Sequence, residues 1–137
     1  MDNDYPKLFR FHKMEFIQEA ANKVFDTLGA GFTERIYHNS LEVLLRKNNI
    51  PFKSEHTIPV MFEGERVGEV RADLILDDNL VVELKSKRTI NNNHITQCSM
   101  YMKLTNIKNG IVINFPSNDC EQIEFQKIKF ENIEKSS

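Results

Sequence analysis

Leu80-Val81-Val82-Glu83-Leu84-Lys85 is an apolar run that ends in two opposite charges, and its position determines how the neighbouring segments can be arranged. Alternate side chains of a β-strand point to opposite faces, so Glu83 and Lys85 share one face while Val82 and Leu84 share the other. Burying charged groups is costly unless they are paired or used. The run therefore predicts a strand whose end carries a candidate site.

A second acid stands ten residues earlier in a similar setting. Asp73 interrupts the apolar segment from Val70 to Leu76, and Asp77-Asp78-Asn79 forms a turn before the next strand. Two carboxylates on neighbouring strands are suitable oxygen ligands for Mg²⁺, and a lysine beside them can stabilise developing negative charge. This spacing predicts a metal site at Asp73 and Glu83, with Lys85 as a helper, suited to phosphodiester cleavage. The alternative is an edge-strand ion pair between Glu83 and Lys85, with Asp73 in solvent.

Length and composition predict a single globular domain. The chain has 137 residues, of which 40% are hydrophobic and 28% charged, and this is typical of a folded rather than a disordered protein. We expect one domain over residues 1–137, with its core at about 14–128 and a polar tail at 131–137. A net charge of −2 does not favour tight non-specific binding to nucleic acid, although Lys85, Lys87 and Arg88 form a local basic cluster.

The cellular setting is expected to be intracellular, in the cytoplasm or the nucleus. No apolar run approaches the roughly 20 residues that cross a bilayer, so we expect no membrane partner. The start Met1-Asp2-Asn3-Asp4 does not resemble a secretory signal. Cys98 and Cys120 have no metal-ligand spacing and are expected to be reduced thiols without a catalytic role.

Hydrophobic periodicity predicts the element order helix, helix, three strands, helix, two strands. This order favours an α/β fold with a mixed central sheet flanked by helices. The predicted helices cover about 11–28, from Thr33 as N-cap to about 48, and 94–104, and the predicted strands cover 58–62, 67–76, 80–85, 111–115 and 123–128. The residues expected to be buried on the first two helices are Ile17, Ala20, Ala21, Val24, Leu28, Tyr37, Leu41, Leu44 and Leu45.

Other candidate site residues lie on the predicted helices. Glu34 is at the margin of the buried face of the second helix, where it either favours the helix N-terminus or points into a site. Gln97 and Tyr101 are four residues apart on the third helix and share a face, although Tyr101 also fits an ordinary core position. His94 is expected at the surface where the third helix begins. No role is predicted for the remaining histidines, His12, His38 and His56.

Several of these segments together resemble a known family, the GxxExxY proteins of the PD-(D/E)XK nuclease superfamily. The resemblance covers about residues 14–128, with Ala72 in place of the proline in the superfamily's name. It rests on Gly31-Phe32-Thr33-Glu34-Arg35-Ile36-Tyr37, Arg71-Ala72-Asp73-Leu74, Val82-Glu83-Leu84-Lys85, His94-x-x-Gln97-x-x-x-Tyr101 and Gly110-Ile111-Val112-Ile113-Asn114-Phe115.

This resemblance implies a restriction-endonuclease-like fold with an αβββαβ core. It implies that Asp73 and Glu83 bind the metal, that Lys85 is the catalytic lysine, and that Glu34 is an additional acid of the catalytic and metal site. Gln97 and Tyr101 would contact the substrate, and Lys87 and Arg88 are expected to assist them. The implied cofactor is Mg²⁺, for which Mn²⁺ can substitute.

The leading hypothesis is therefore a Mg²⁺-dependent nuclease acting on nucleic acid, with DNA as the expected substrate. An alternative is a nuclease-fold protein that binds nucleic acid or a protein partner without cleaving. A third is a purely structural protein whose acids lie on its surface. Membership of a fold does not by itself establish activity.

A homodimer is a further expectation. A small, near-neutral domain offers limited surface for gripping a duplex, and a two-fold dimer would supply a second site. The predicted contact is an exposed apolar surface formed by Phe9, Phe11 and Phe16; alternatively, these side chains fold back onto their own sheet.

Overall fold

Three helices and five strands make up the regular structure of residues 13–130, the part of the chain that the computed structural model describes. Their order agrees with the predicted order. None of these helices has the length and apolar character needed to span a bilayer. The helices are α1 (Lys13–Leu28), α2 (Glu34–Lys47) and α3 (Asn92–Thr105), and the strands are β1 (Phe52–Phe62), β2 (Glu65–Leu76), β3 (Leu80–Lys85), β4 (Asn109–Asn114) and β5 (Glu124–Lys129).

The five strands form one mixed sheet in the order β1-β2-β3-β4-β5. All neighbours are antiparallel except β3 and β4, which are parallel. Parallel neighbours need a crossover connection, and α3 supplies it. The predicted mixed sheet flanked by helices is thus confirmed, and β3 lies at its centre.

Helices cover both faces of this sheet. On one face, α1 and α2 bury a cluster that includes Phe16, Tyr37, Leu41, Val82 and Leu84. On the other face, α3 packs on a second cluster, which includes Val81, Cys98, Met102 and Val112. Strands that are buried on both faces have continuous apolar sequences, which is why β3 and β4 could be predicted from the sequence.

The first strand is longer than its sequence indicates. The prediction began at Ile58, whereas β1 begins at Phe52 and pairs with β2 from Phe52 opposite Leu76 onward. The missed part, residues 52–57, is polar after Phe52 and shows no alternation. Pairing with the apolar end of β2, and not local pattern, makes this segment a strand.

Several predicted core positions need correction. Leu28 is 37% exposed at the end of α1, and Leu44 is only partly buried, whereas the other seven predicted positions are buried.

The predicted dimer surface also needs correction. Phe16 is fully buried in the core, so it does not belong to an exposed dimer surface. The alternative in which it folds back onto its own sheet is correct for Phe16. Phe9, Phe11, His12 and the predicted tail at 131–137 lie outside the described residues.

Gly110 sets the distance between α3 and the sheet. A Cβ atom at this position would lie 2.5 Å from the Sδ of Met102 and 2.9 Å from the Sγ of Cys98. Atoms of a close-packed core cannot approach so closely without rearrangement. The glycine therefore allows α3 to pack directly against β4.

Gly110→Ala is expected to lower the free energy of unfolding by about 1–3 kcal/mol, because an overpacked core must shift. The measurement is the urea midpoint at constant m-value. Gly68→Ala is the matched control, since a Cβ there would meet no atom within 4 Å. Equal midpoints for the two variants would contradict this account of Gly110.

Candidate active site

The candidate site lies where β2 and β3 separate. The last paired residues of these strands are Leu74 and Val82, so Asp73 and Glu83 occupy the next cross-strand positions. The Leu84 backbone N–H donates a hydrogen bond of 2.7 Å to Oδ2 of Asp73, which fixes this carboxylate against the end of β3. The structure thus brings the two predicted acids together at a fork in the sheet.

Lys85 joins Glu83 on the same face, as the strand period predicts. Its Nζ lies 3.4 Å from Oε2 of Glu83 and donates a 3.2 Å hydrogen bond to Oε1 of Gln97 on α3. Glu83 is only 3% exposed and belongs to the central strand. The ion pair of the alternative reading is therefore present, but its placement on an edge strand is wrong.

The two acids are held in an unfavourable electrostatic environment. Burial, reinforced by the neighbouring Asp73 charge, raises the pKa of Glu83 from its ordinary value of 4.5 to about 8. Burial also raises the pKa of Asp73. Desolvation disfavours the charged form of each carboxyl, and Lys85 only partly offsets it. The fork is thus short of positive charge.

These features fit a hard divalent cation. Oε1 of Glu83 is buried with no hydrogen-bond partner among the described residues, so it is free to act as a ligand. Within residues 13–130, no group of three or more His, Cys, Asp or Glu side chains is placed to hold a metal ion. Mg²⁺ keeps several waters and needs only one or two carboxylates. Asp73 and Glu83 would supply these ligands.

Glu34, the third predicted acid, reaches the same end of β3 from α2. Its Oε2 accepts a 3.2 Å hydrogen bond from the Ser86 backbone N–H, so the side chain points towards the fork and does not simply lie at the helix surface. Thr33 is at the N-cap position, as predicted, but its side chain makes no capping hydrogen bond. The first turn of α2 is therefore held by other contacts.

Tyr37 supplies those contacts. Its hydroxyl donates a 2.7 Å hydrogen bond to the Gly29 carbonyl and accepts one of 3.3 Å from the Phe32 backbone N–H. Its ring stacks on Phe115 with centroids 4.2 Å apart. Gly31, at φ 98°, adopts a backbone conformation that favours glycine. The Gly-x-x-Glu-x-x-Tyr spacing is thus a loop and helix start that fix Glu34.

Gln97 and Tyr101, the two predicted site residues on α3, lie in different environments. Gln97 is exposed and contacts Lys85, whereas Tyr101 is only 6% exposed. Burial, followed by the charges of Glu83 and Asp73, raises the pKa of Tyr101 to about 12. Tyr101 therefore belongs to the core and also lies within electrostatic range of the acids.

His94 is not a surface residue, contrary to the prediction. It is only 9% exposed. Its ring Nδ1 accepts a 3.2 Å hydrogen bond from the Asn91 backbone N–H, and the His94 backbone N–H donates a 3.1 Å hydrogen bond to Oδ1 of Asn91. This reciprocal pair caps α3. Burial, together with the positive charges of Lys85 and Lys87, lowers the pKa of His94.

Lys87 and Arg88 lie on a loop whose backbone is fixed although both residues are exposed. The Lys87 N–H donates to Oδ1 of Asn114 at 2.8 Å, and Nδ2 of Asn114 donates to the Lys87 carbonyl at 2.9 Å. Sequence reasoning assigned no role to Asn114. Its signal was a single amide in the apolar run Ile111–Phe115, where a buried polar group needs partners.

His38 was also missed. It lies one helical turn after Glu34, is 5% exposed, and places Nε2 at 2.7 Å from Oε2 of Glu42 and 2.9 Å from Oγ of Ser54. The four-residue spacing of Glu34, His38 and Glu42 was the available signal. His38 ties α2 to β1 beside the fork.

The two cysteines are free thiols, Cys98 buried and Cys120 exposed. Burial raises the pKa of Cys98 to about 12, so its nucleophilic thiolate is scarce at neutral pH.

Tyr37→Phe should lower the free energy of unfolding by about 1 kcal/mol, because Gly29 and Phe32 each lose a hydrogen-bond partner. The measurement is the urea midpoint, with near-UV circular dichroism as the control that the ring still stacks on Phe115. An unchanged midpoint would show that the hydroxyl does not hold the loop.

Glu83→Gln should stabilise the protein in chelator at pH 8. The folded-state pKa of Glu83 is raised, so the folded protein keeps a proton that the unfolded chain releases between pH 4.5 and 8. Stability is therefore lost as pH rises through this window, and the uncharged amide avoids that loss. The advantage should reach several kcal/mol, at about 1.4 kcal/mol per pKa unit.

Urea midpoints at pH 5 and pH 8 measure this difference. Glu65→Gln, at an exposed position of β2, is the matched control and should show no pH-dependent gain. If the gain in stability of Glu83→Gln over the natural chain is the same at pH 5 and at pH 8, the raised pKa of Glu83 is contradicted.

Two solved structures resemble this chain. The chain is similar in structure to the crystal structure of SSO0001, with a TM-score of 0.54 and 24% identity over 69% of this chain and 48% of that one. It thus spans about half the length of that protein. An alkaline exonuclease, LHK-Exo from Laribacter hongkongensis, aligns with a TM-score of 0.48 and 12% identity over 82% of this chain and 77% of that one.

No match is found among curated protein sequences. A family model described as the PD-(D/E)XK nuclease superfamily matches residues 12–128, which is well over half of the sequence. The mixed five-stranded sheet with its flanking helices is the restriction-endonuclease-like architecture. The chain therefore belongs to the PD-(D/E)XK nuclease superfamily.

Proposed function

We propose that this protein is a Mg²⁺-dependent nuclease that hydrolyses phosphodiester bonds in DNA, and that it belongs to the GxxExxY group of its superfamily. The observation that carries the proposal is the buried Glu83 opposite the partly buried Asp73, with Lys85 beside them, at the fork of β2 and β3. A buried Oε1 of Glu83 without a partner is costly unless a ligand completes it.

Each side chain of the fork has a distinct role in this proposal. Asp73 and Glu83 hold the cation, and the Leu84 N–H keeps Asp73 in place. Lys85, oriented by Glu83 and Gln97, places its ammonium where it can stabilise negative charge developing on a phosphate. Bound Mg²⁺, or Mn²⁺ in its place, supplies Lewis-acid polarisation of the phosphate and activation of water.

Glu34 is the additional acid of the catalytic and metal site. Its hydrogen bond to the Ser86 N–H holds the carboxylate at the end of β3, opposite the α3 side. From there it can receive a proton or contribute to the cation's ligands through water. Its role is secondary to that of Asp73 and Glu83, since the described residues hold no three-residue metal group.

Substrate contacts are assigned to the rim of the fork. We propose that four side chains contact the nucleic-acid backbone: Gln97 and Tyr101 on α3, and the exposed Lys87 and Arg88 on the loop that Asn114 anchors.

A homodimer with two sites is also part of the proposal, with a contact that does not include Phe16. Free thiols are consistent with the proposed intracellular location.

The competing function is nucleic-acid or protein binding without cleavage. The observation in its favour is the net charge of −2, together with the burial of Glu83. Activity measured with and without a divalent cation separates the two functions.

The natural chain should nick supercoiled plasmid DNA with Mg²⁺ or Mn²⁺ and lose this activity in chelator. Lys85→Ala should reduce cleavage by about 10²-fold or more, because its ammonium acts in the transition state. Calorimetry should show that Lys85→Ala still binds Mn²⁺. Asp73→Asn should lose metal binding, because a charged ligand is removed while the amide oxygen can still accept from Leu84.

Lys103→Ala is the matched control, since Lys103 is an exposed lysine at the C-terminal end of α3, and it should cleave like the natural chain. Equal Mn²⁺ affinity for Asp73→Asn and the natural chain would refute the metal assignment. DNA binding without cleavage at any divalent-cation concentration would establish the competing function.

A further inference from the structure

A cavity of about 310 Å³ lies beside the fork. Glu34 and Asp73 of the candidate site line it, together with Glu55 and three basic side chains from α2 and β2. No role has been assigned above to the two arginines or to Glu55. The cavity has the volume of a small-ligand site. Its lining residues are Glu34, Arg35, His38, Glu55, Arg71, Asp73 and Leu84.

Glu55, on the wall contributed by β1, has an unusual backbone. Its φ is +49° in the middle of a strand, a conformation that non-glycine residues rarely adopt. The pairing of β1 with β2 runs from Ser54 opposite Leu74 to His56 opposite Ala72 and omits the position between them. That position places Glu55 opposite Asp73.

The surrounding contacts hold this irregularity in place. Ser54 donates a hydrogen bond to Oε2 of Glu42, and its Oγ lies 2.9 Å from Nε2 of His38. The residue before Glu55 is thus tied to α2. Unfavourable backbone conformations persist where neighbouring contacts determine them, and they cluster at functional sites.

The Glu55 carboxylate uses each oxygen for a different arginine. Oε2 pairs with Arg35 on α2, and Oε1 accepts from Nη1 of Arg71 on β2 at 3.4 Å. The hydrogen bond and charge of Arg35 lower the pKa of Glu55, so the carboxylate is ionised at neutral pH. One carboxylate can accept hydrogen bonds from only some of the N–H donors of two guanidinium groups, so the remaining donors can bind a ligand.

Both arginines are accessible to a ligand. The exposed fraction of the side chain is 58% for Arg35 and 64% for Arg71. Ion pairs this exposed contribute little to folding, so stability alone does not account for the arrangement. A phosphate group carries more oxygens than a carboxylate and can accept two hydrogen bonds from one guanidinium group.

We propose that Arg35 and Arg71 bind a phosphate of the nucleic-acid strand next to the phosphate held at Asp73 and Glu83. In the free protein Glu55 occupies the two guanidinium groups, and the incoming phosphate displaces it. Arg71 lies two residues from Asp73, about 7 Å along a strand, a length that suits neighbouring phosphates. The inference rests on the proposed function, since it takes nucleic acid as the ligand of the same site.

The test measures binding of a fluorescein-labelled DNA duplex with a single-stranded end. Binding is monitored by fluorescence anisotropy, in chelator so that no cleavage occurs. Arg35→Gln and Arg71→Gln should each weaken binding about 5- to 20-fold and reduce the slope of log K against log salt by about one. Glu55→Gln should instead tighten binding several-fold, because the competing carboxylate loses its charge.

The exposed pair Arg66 and Glu69, elsewhere on β2 and not lining the cavity, supplies matched controls. Arg66→Gln and Glu69→Gln make the same charge changes and should alter binding by less than about two-fold. Urea midpoints of all variants show that each is folded under the binding conditions.

Equal binding of Arg71→Gln and Arg66→Gln would overturn the proposal, as would Glu55→Gln binding no more tightly than Glu69→Gln. Failure of the natural chain to bind the DNA would overturn it too. The expected binding pattern without Mg²⁺-dependent cleavage would support this phosphate site and refute only the nuclease activity. Cleavage by a natural chain whose arginine variants bind unchanged would refute only the phosphate site.

Discussion

The brief pairing between β2 and β3 is the constraint on which the rest of the structure depends. Only three residue pairs join these strands before they diverge beyond Leu74 and Val82. Asp73 and Glu83 occupy the next opposed positions but are not paired in the ladder, and the Leu84 N–H donates to the Asp73 carboxylate instead. The acids therefore lie where the ladder between β2 and β3 ends, beside the buried parallel pair of β3 and β4.

The same fork concentrates charge where the fold would be more stable without it. Two carboxyls with raised pKa values and one lysine lie between apolar layers. Local rules of burial and pairing are satisfied nearly everywhere else in the described residues, and functional sites are where natural proteins violate them. Under the proposed function, the cost at Glu83 is offset when a cation binds, since a ligand that binds only the folded state adds stability by mass action.

Most of the layered fold was accessible from sequence, and the reason is burial on both faces. Continuous apolar runs specified β3 and β4, and helical periodicity specified α1 and α2. The polar start of β1 was not accessible, because its pairing with Leu76 and neighbouring residues is non-local. At the site, strand period places Glu83 and Lys85 on one face, and the position of Asp73 on the preceding strand predicts that the two acids meet. The contacts of Asn114, Glu55 and His38 were not predicted, since the partners concerned lie 16 to 27 residues away in sequence.

The end of β4 connects the two walls of the site. Asn114 fixes the backbone of the loop that carries Lys87, and the next residue, Phe115, stacks on Tyr37. Tyr37 in turn holds the loop before α2 and so positions Glu34. Phe115 also donates its N–H to the Lys85 carbonyl at 2.9 Å. Two adjacent residues thus couple the strand that bears the lysine, the basic loop and the helix that bears the third acid. Because these contacts meet at one strand end, segments far apart in sequence are held next to one another at the candidate site.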